Sequence, residues 1–180
     1  RDLVRSRGLG DVYKRQMMVP IGSTTTAGEL LDELARTATP LVIDTLKDIE
    51  AGVEPTPQSV EGVTIAPQIH PGDVRIAVTS AAEEIDHLVR GASPAPGAWA
   101  ELNDKRFKIL RTRCLEAGDR VPSTVATAQP GQLVATRKQL FLGTGSQPLE
   151  LLQVQAFGKK VMSGADWARG ADIDAGTRLR

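Results

Sequence analysis

Nine cationic side chains in the second half of the chain have the types and spacing to do chemistry. Lys105, Arg106, Lys108, Arg111 and Arg113 stand in one short run, and Arg137-Lys138 and Lys159-Lys160 add two adjacent pairs. Cations spaced this way neutralise phosphates. Each one placed on a nucleic-acid backbone releases condensed counterions, so affinity falls with salt. The same residues also suit an ordinary solvated surface. Trp99, Phe107, Phe141, Phe157 and Trp167 are the aromatics of this half, too few to interleave with the cations. That argues against reading single-stranded bases by stacking and favours the phosphates of a folded RNA. Lys159 and Lys160 also precede Ser163 and Asp166, a capping pair for a short last helix. They therefore stand beside its partial positive end, where an anion is favoured.

Other chemistry-bearing residue types point to structure. Gly143-Thr144-Gly145-Ser146 is rich in glycine but lies between strands, where it reads as a turn rather than a phosphate loop. Cys114 has no histidine partner in the sequence and reads as a strand-end residue; with a single cysteine, no intrachain disulfide forms, which fits a reducing compartment. His87 and His70 have no zinc-ligand spacing. Glu83, Glu84 and Asp86 read as the solvated face of a helix. No catalytic, cofactor-binding or metal-binding residue is assigned, and no apolar run approaches the ~20 residues of a membrane span.

The elements that must position the cations are short strands. The pattern predicts five, at 98–102, 105–113, 131–136, 139–143 and 149–155, with Asn103-Asp104 and Arg137-Lys138 as tight connections. Phe107 and Ile109 alternate with Arg106 and Lys108, and the alternation slips at Leu110-Arg111, which predicts a bulge. A last helix around Trp167 and Ala168 stops at Gly170. Before the strands, Ser80 and Glu83 predict a capped helix ending at Gly91, followed by the stiff Pro94 and Pro96. Residues 53–78 read as a proline-broken linker. Earlier still, 17–22 reads as a strand. Thr26 and Glu29 open a helix with Leu30, Leu31, Leu34 and Ala35 on one side, and Pro40 starts a second helix that Gly52 ends.

Lys and Arg balance Asp and Glu at 22 each, but unevenly. Residues 17–90 carry twelve acidic side chains against four basic ones, and 91–180 carry thirteen basic against eight acidic. The basic half suits an anionic partner. Residues 1–16 show no periodicity and resemble translated read-end sequence, so they are expected to be a disordered, unrelated head.

Three stretches carry a family resemblance, in the family's order. Arg90-Gly91-Ala92-Ser93-Pro94-Ala95-Pro96-Gly97-Ala98-Trp99 resembles the start of the C-terminal domain of methionyl-tRNA formyltransferases. Leu151-Leu152-Gln153-Val154-Gln155-Ala156-Phe157-Gly158-Lys159-Lys160-Val161-Met162-Ser163 is similar to that family's closing motif, and Val19-Pro20-Ile21-Gly22 with Thr26-Ala27-Gly28-Glu29-Leu30 to the end of its catalytic domain. Asp73-Val74-Arg75-Ile76 also resembles a family sequence, after which an aromatic often stands; Val78 takes that place here.

The resemblance implies a mixed α and β chain. Residues 17–52 would be the helical remnant of an α/β formyltransferase domain and 53–90 a linker with a connecting helix. Residues 91–180 would form a small OB-like Greek-key β-barrel, closed by a short C-terminal helix, that holds tRNA. The whole protein would be a cytoplasmic transferase of translation initiation, a monomer passing a formyl group from 10-formyltetrahydrofolate to initiator methionyl-tRNA without a metal. The family's catalytic Asn, His and Asp, with its His-Pro-Ser-Leu-Leu-Pro stretch, do not occur in this sequence, so this part alone is expected to be inactive and to bind no folate. The alternatives are the second domain of another folate-dependent formyltransferase or hydrolase, or a free-standing RNA-binding or interaction module.

Overall fold

The computed structural model describes residues 12–13, 15–57, 61 and 65–180. The chain divides into two compact units, Arg1–Ser23 with Glu29–Gln68, and Thr24–Gly28 with Ile69–Arg180.

The first unit is sparse. Most of residues 1–16 lie outside the described residues. Within them Val12–Tyr13 form a short strand, β1, antiparallel to β2 (Thr56–Pro57), and Arg15 pairs with Asp48 at 2.9 Å. Residues 17–22 form no strand; Pro20 offers no amide, and no partner strand runs alongside among the described residues. Helix α1 spans Ala27–Glu50, starting just after Thr26 and running straight through Pro40. The two helices expected from Pro40 are one. Proline withholds an amide from the carbonyl of Arg36, but both residues are exposed, so water can take the freed acceptor and the helix continues.

The second unit is built on a curled antiparallel sheet. Its strands are β3 (Ala98–Leu102), β4 (Lys105–Cys114), β5 (Leu133–Ala135), β6 (Leu140–Leu142), β7 (Leu149–Gln155) and β8 (Met162–Ser163), in the order β3-β4-β7-β6-β5, with β8 also on β7. Asn103 and Asp104 both take positive φ, 51° and 59°, the turn a two-residue β3–β4 hairpin requires and one that Asn and Asp tolerate. The register of β4 on β7 shifts on either side of Arg111, where the broken alternation placed a bulge.

Both open edges of this sheet are occupied by segments that sequence pattern did not mark as strands. Arg75 bridges Trp99 in parallel, with the Ile76 amide donating to the Trp99 carbonyl at 2.8 Å. The supposed linker thus enters the sheet, and its Val74 and Ile76 are buried. Farther along β3, Glu101 and Arg180 exchange amide–carbonyl bonds at 2.8 and 2.9 Å, while Leu179 and Thr177 bond the backbone of Gly131 and Leu133 beside β5. Residues 177–180 therefore join the first strand of the order to the last. Gly131 permits this approach: its φ is 83°, and a Cβ there would strike the Leu179 carbonyl.

Helix α2 (Ala82–Ala92) packs on β4, and Ile85, Val89 and Ala92 enter one core with Phe107, Ile109, Leu140, Leu149 and Leu151. Burying each of the larger of these side chains, the Ile, Val, Leu and Phe, stabilises by about 1.5–3 kcal/mol. Two expectations for this helix fail. Ser80 does not cap it; Ala81 is the N-cap residue, without a side-chain bond. Gly91 does not end it; the helix passes through Gly91, and Ser93 in extended conformation closes it. Short helix α3 (Ser123–Ala126) precedes β5, and α4 (Gly164–Arg169) follows β8 with Ser163 accepting from the Asp166 amide at 3.0 Å. Gly170 is the C-cap of α4, as the sequence indicated.

Candidate nucleic-acid interface

The β3–β4 hairpin sorts its side chains by face. Phe107 and Ile109 are buried inward. Arg106 and Lys108 point the other way, since side chains alternate along a strand, and they stand opposite Glu101 and Trp99. The Arg106 guanidinium lies 4.5 Å from the centroid of the Trp99 ring, and that of Arg75 lies 5.3 Å from it. Arg75 is held in turn by Glu101 at 3.2 Å. The indole N–H of Trp99 donates to the Pro71 carbonyl at 2.6 Å, so the ring is fixed. Such contacts contribute about 0.5–1 kcal/mol each where exposed. A guanidinium laid on an aromatic face keeps its planar fork of N–H donors available for a phosphate.

The same face continues onto β7. Lys108 stands opposite Gln155, whose amide donates to the Lys159 carbonyl at 3.0 Å. That bond ties the turn after β7 to the face, and Lys159 and Lys160 are exposed there. Arg106 and Lys108 thus share one face of the sheet with Arg75, and the exposed Lys159 and Lys160 stand on the turn next to it. Lys105 is exposed at the head of β4 and lines a small cavity with Arg106.

The remaining cations do not join them. Arg113 donates to Asp119 at 2.7 Å and to Glu150 at 2.8 Å; these two carboxylates raise its pKa further above its already high value. Its guanidinium is engaged by these two carboxylates, although the side chain is 41% exposed. Glu150, 7% exposed, also accepts from Gln139 at 2.9 Å. Arg111 is half-buried between the two register shifts, opposite Gln153. Arg137 and Lys138 are exposed on the β5–β6 connection, on strands beyond β7 in the sheet order. Nor does an anion site form at the start of α4, because Ser163 and Asp166 bond each other there at 2.6 Å and the helix has only six residues.

Sequence reasoning missed Arg75 and the Trp99 platform. Arg75 lies in the segment read as linker, and only the parallel bridge to Trp99 brings it to the face. The residue types read as structural do have structural roles. Burial, then the nearby Asp86 and Glu83, push the Cys114 thiol up to about 11, so it stays protonated at neutral pH. The Gly145 loop caps α2: Ser146 accepts from the Ala82 amide at 3.0 Å and Gln147 donates to Glu83 at 3.0 Å. Asp86 corrects an expectation. It is 8% exposed rather than solvated, because Thr112 donates to it at 2.6 Å and Arg90 at 2.8 Å. Among the described residues no cluster of His, Cys, Asp and Glu could hold a metal ion, and no helix is long and apolar enough to cross a membrane.

Comparison with known proteins places this chain in a family. A family model described as formyl transferase, C-terminal domain, matches residues 68–172. The methionyl-tRNA formyltransferase of Cutibacterium acnes is 85% identical over 178 residues, which is 99% of this chain and 56% of that protein; the match reaches into residues 1–16. The methionyl-tRNA formyltransferase of Thermobifida fusca is 41% identical over 97% of this chain and 54% of its own length. The chain therefore spans about half the length of the curated relatives it matches. Among solved structures, HypX from Aquifex aeolicus superposes with a TM-score of 0.65 at 16% identity, covering 88% of this chain and 28% of that one. Its complex with tetrahydrofolic acid gives 0.63 at 17% identity, over 83% and 26%. At such identity the likeness is one of fold. With more than half of its residues inside the matched span, this chain belongs to the formyl transferase C-terminal-domain family.

Proposed function

We propose that this chain is the tRNA-holding half of a methionyl-tRNA formyltransferase. The whole protein would transfer a formyl group from 10-formyltetrahydrofolate to the amine of initiator methionyl-tRNA in the cytoplasm, as a monomer. In this reading 17–52 are the end of the catalytic domain and 53–90 the connection. Residues 91–180 are an OB-like binding domain, a description supported by the curled sheet whose edges 177–180 join. The folate site and the base that takes the proton from the methionyl amine belong to the part of the protein beyond this chain.

The observation that carries the reading is the cationic face: Arg106 stacked on Trp99, Lys108 beside it, and the exposed Lys159 and Lys160 on the adjoining turn. Its recognition is of phosphates, supplied by a folded RNA. Arg111, Arg137 and Lys138 would make outlying contacts, and Arg113 none.

The test is a titration of fluorescent tRNA at several salt concentrations. The wild-type chain should lose about 0.7–0.9 log units of affinity per log unit of salt for each phosphate neutralised. Changing Lys159 and Lys160 together to Ala should weaken binding and lower the slope by about one to two units, with the thermal midpoint unmoved. An unchanged slope and affinity would remove the two lysines from the site. Wild-type binding that ignored salt would end the phosphate reading.

A further inference from the structure

The turn after β7 carries an aromatic side chain that the fold does not use. Phe157 is 68% exposed, while its neighbour Ala156 packs against the core. Gly158, with φ of 71°, turns the chain immediately afterwards into Lys159 and Lys160. Phe157 shares with Lys105, Arg106, Asn103 and Trp167 the lining of a cavity of about 260 Å³. Phe107 and Trp167, two more rings of that lining, stand 4.6 Å apart, tilted by 60°. The volume falls just below the roughly 300–1,000 Å³ of small-molecule pockets, so it suits one flat ring rather than an elaborate ligand. The polar groups of the lining are cations and one amide, with no carboxylate among them.

An exposed ring beside four cations, Lys105, Arg106, Lys159 and Lys160, fits a nucleobase with phosphates on either side. We propose that Phe157 stacks an unpaired base of the bound RNA, while Arg106 and Lys159 take its flanking phosphates. This rests on the reading of the cationic face as an RNA surface, and adds to it a single stacked nucleotide. The scarcity of aromatics excludes a stacked tract, not one base. An anionic lipid surface would also suit an exposed ring among lysines, but the cavity beneath the ring, lined by Arg106 and Trp167, favours insertion of a ring.

The test uses the full chain with Phe157→Ala and Phe157→Trp. The probes are fluorescein-labelled unacylated tRNA transcript, a blunt RNA duplex without unpaired bases, and vesicles of phosphatidylglycerol. Phe157→Ala should bind tRNA about fivefold or more weakly with the salt slope unchanged, because no phosphate contact is lost. Phe157→Trp should bind within about twofold of wild type, since stacking tolerates the exchange, and the duplex should bind all three proteins alike. Equal tRNA affinity for wild type and Phe157→Ala overturns the stacking inference while leaving the salt-dependent RNA reading intact. An equal loss on the blunt duplex also overturns it, since no unpaired base is present there. Loss of vesicle binding with tRNA affinity unchanged assigns the ring to a lipid surface and overturns it as well. A wild-type chain that does not bind tRNA at low salt removes both readings.

Discussion

The hydroxyl of Ser146 accepts a hydrogen bond from the amide of Ala82 at 3.0 Å, across 64 residues of sequence. It is the cap of helix α2, supplied from a loop of the sheet rather than from the helix's own approach. The same loop donates the Gly145 amide to the Ser80 carbonyl at 2.8 Å. Gly145 has no room for a side chain, since a Cβ would strike the Thr79 carbonyl.

Ser146→Ala should therefore cost about 1 kcal/mol, the usual loss for an N-cap. Ser80→Ala, at the position local pattern marks as the cap, should stay within about 0.5 kcal/mol. Chemical denaturation of the two variants checks the contrast. Equal losses would show that the cap is not made from the loop.

Asp86 anchors the other end of this contact. It accepts from Thr112 on β4 and from Arg90 one turn along α2, and Arg90 reaches on to the Thr25 carbonyl at 3.3 Å. The Asp86 and Arg90 side chains are 12% and 17% exposed. Asp86→Ala would leave a largely buried guanidinium without its carboxylate, and should destabilise by about 3 kcal/mol. Thr112→Val removes one neutral donor and should cost about 1 kcal/mol. Thermal or urea unfolding of the second unit reports both.

Acid should weaken the fold through two carboxyls in particular. The Glu116 amide and Arg113 hold Asp119 below the ordinary carboxylate range, and the Thr177 hydroxyl and Gly176 amide do the same for Asp174. A carboxyl with a depressed folded pKa contributes stability fully above its unfolded value, near 4. That contribution is lost as pH falls through the folded value. Stability from these two groups should be flat from neutral pH down to about 5 and decline below about 4. Asp119→Asn should flatten part of that acid limb without steepening anything near neutrality, as unfolding curves from pH 3 to 7 would show.

What the sequence made legible was local. The β4 alternation, the slip at Leu110-Arg111, the Asn103-Asp104 turn and the Ser163 cap all follow from residues within a few positions of one another. What it hid was non-local. The capping serine for α2 is far along the chain, and residues 177–180 offer only Leu179 as a buried side chain, too little to mark a strand. Arg113 looks like Arg106 in the sequence, yet the folded sheet sets two carboxylates on one and an indole on the other. Pro40 misled because a proline costs a helix least where the freed carbonyl can meet water.

Helix α1 bears Leu31, Val42, Ile43 and Leu46 at 50–66% exposure, and none of its residues is buried. An apolar surface of that kind favours association. The chain should sediment as concentration-dependent oligomers, and the double change Leu31→Glu with Leu46→Glu should shift it toward monomer without lowering the unfolding midpoint of the second unit. Monodisperse wild-type protein at high concentration would contradict this.

Arg106 and Arg113 make the sharpest comparison, because they lie seven positions apart on one strand and differ only in their company. Arg113 is engaged by Asp119 and Glu150. Removing it leaves the buried Glu150 with the Gln139 amide as a neutral donor, a carboxylate short of a charged one. Arg113→Ala should therefore destabilise the fold by about 1–3 kcal/mol and leave tRNA affinity unchanged below the unfolding transition. Arg106 is exposed and lies on the Trp99 ring, with no carboxylate paired to it among the described residues. Arg106→Ala should cost stability little, about 0.5–1 kcal/mol for the lost stacking contact, yet reduce the salt slope of tRNA binding by about one unit. Arg106→Lys should keep the slope, since the charge remains, while losing the part of the affinity that depends on the planar fork. Paired denaturation and salt titrations of the three variants separate a cation held for the fold from one held for a ligand. If Arg113→Ala lowered the slope and Arg106→Ala did not, the RNA-facing side of the sheet would have to be moved to the opposite end of β4.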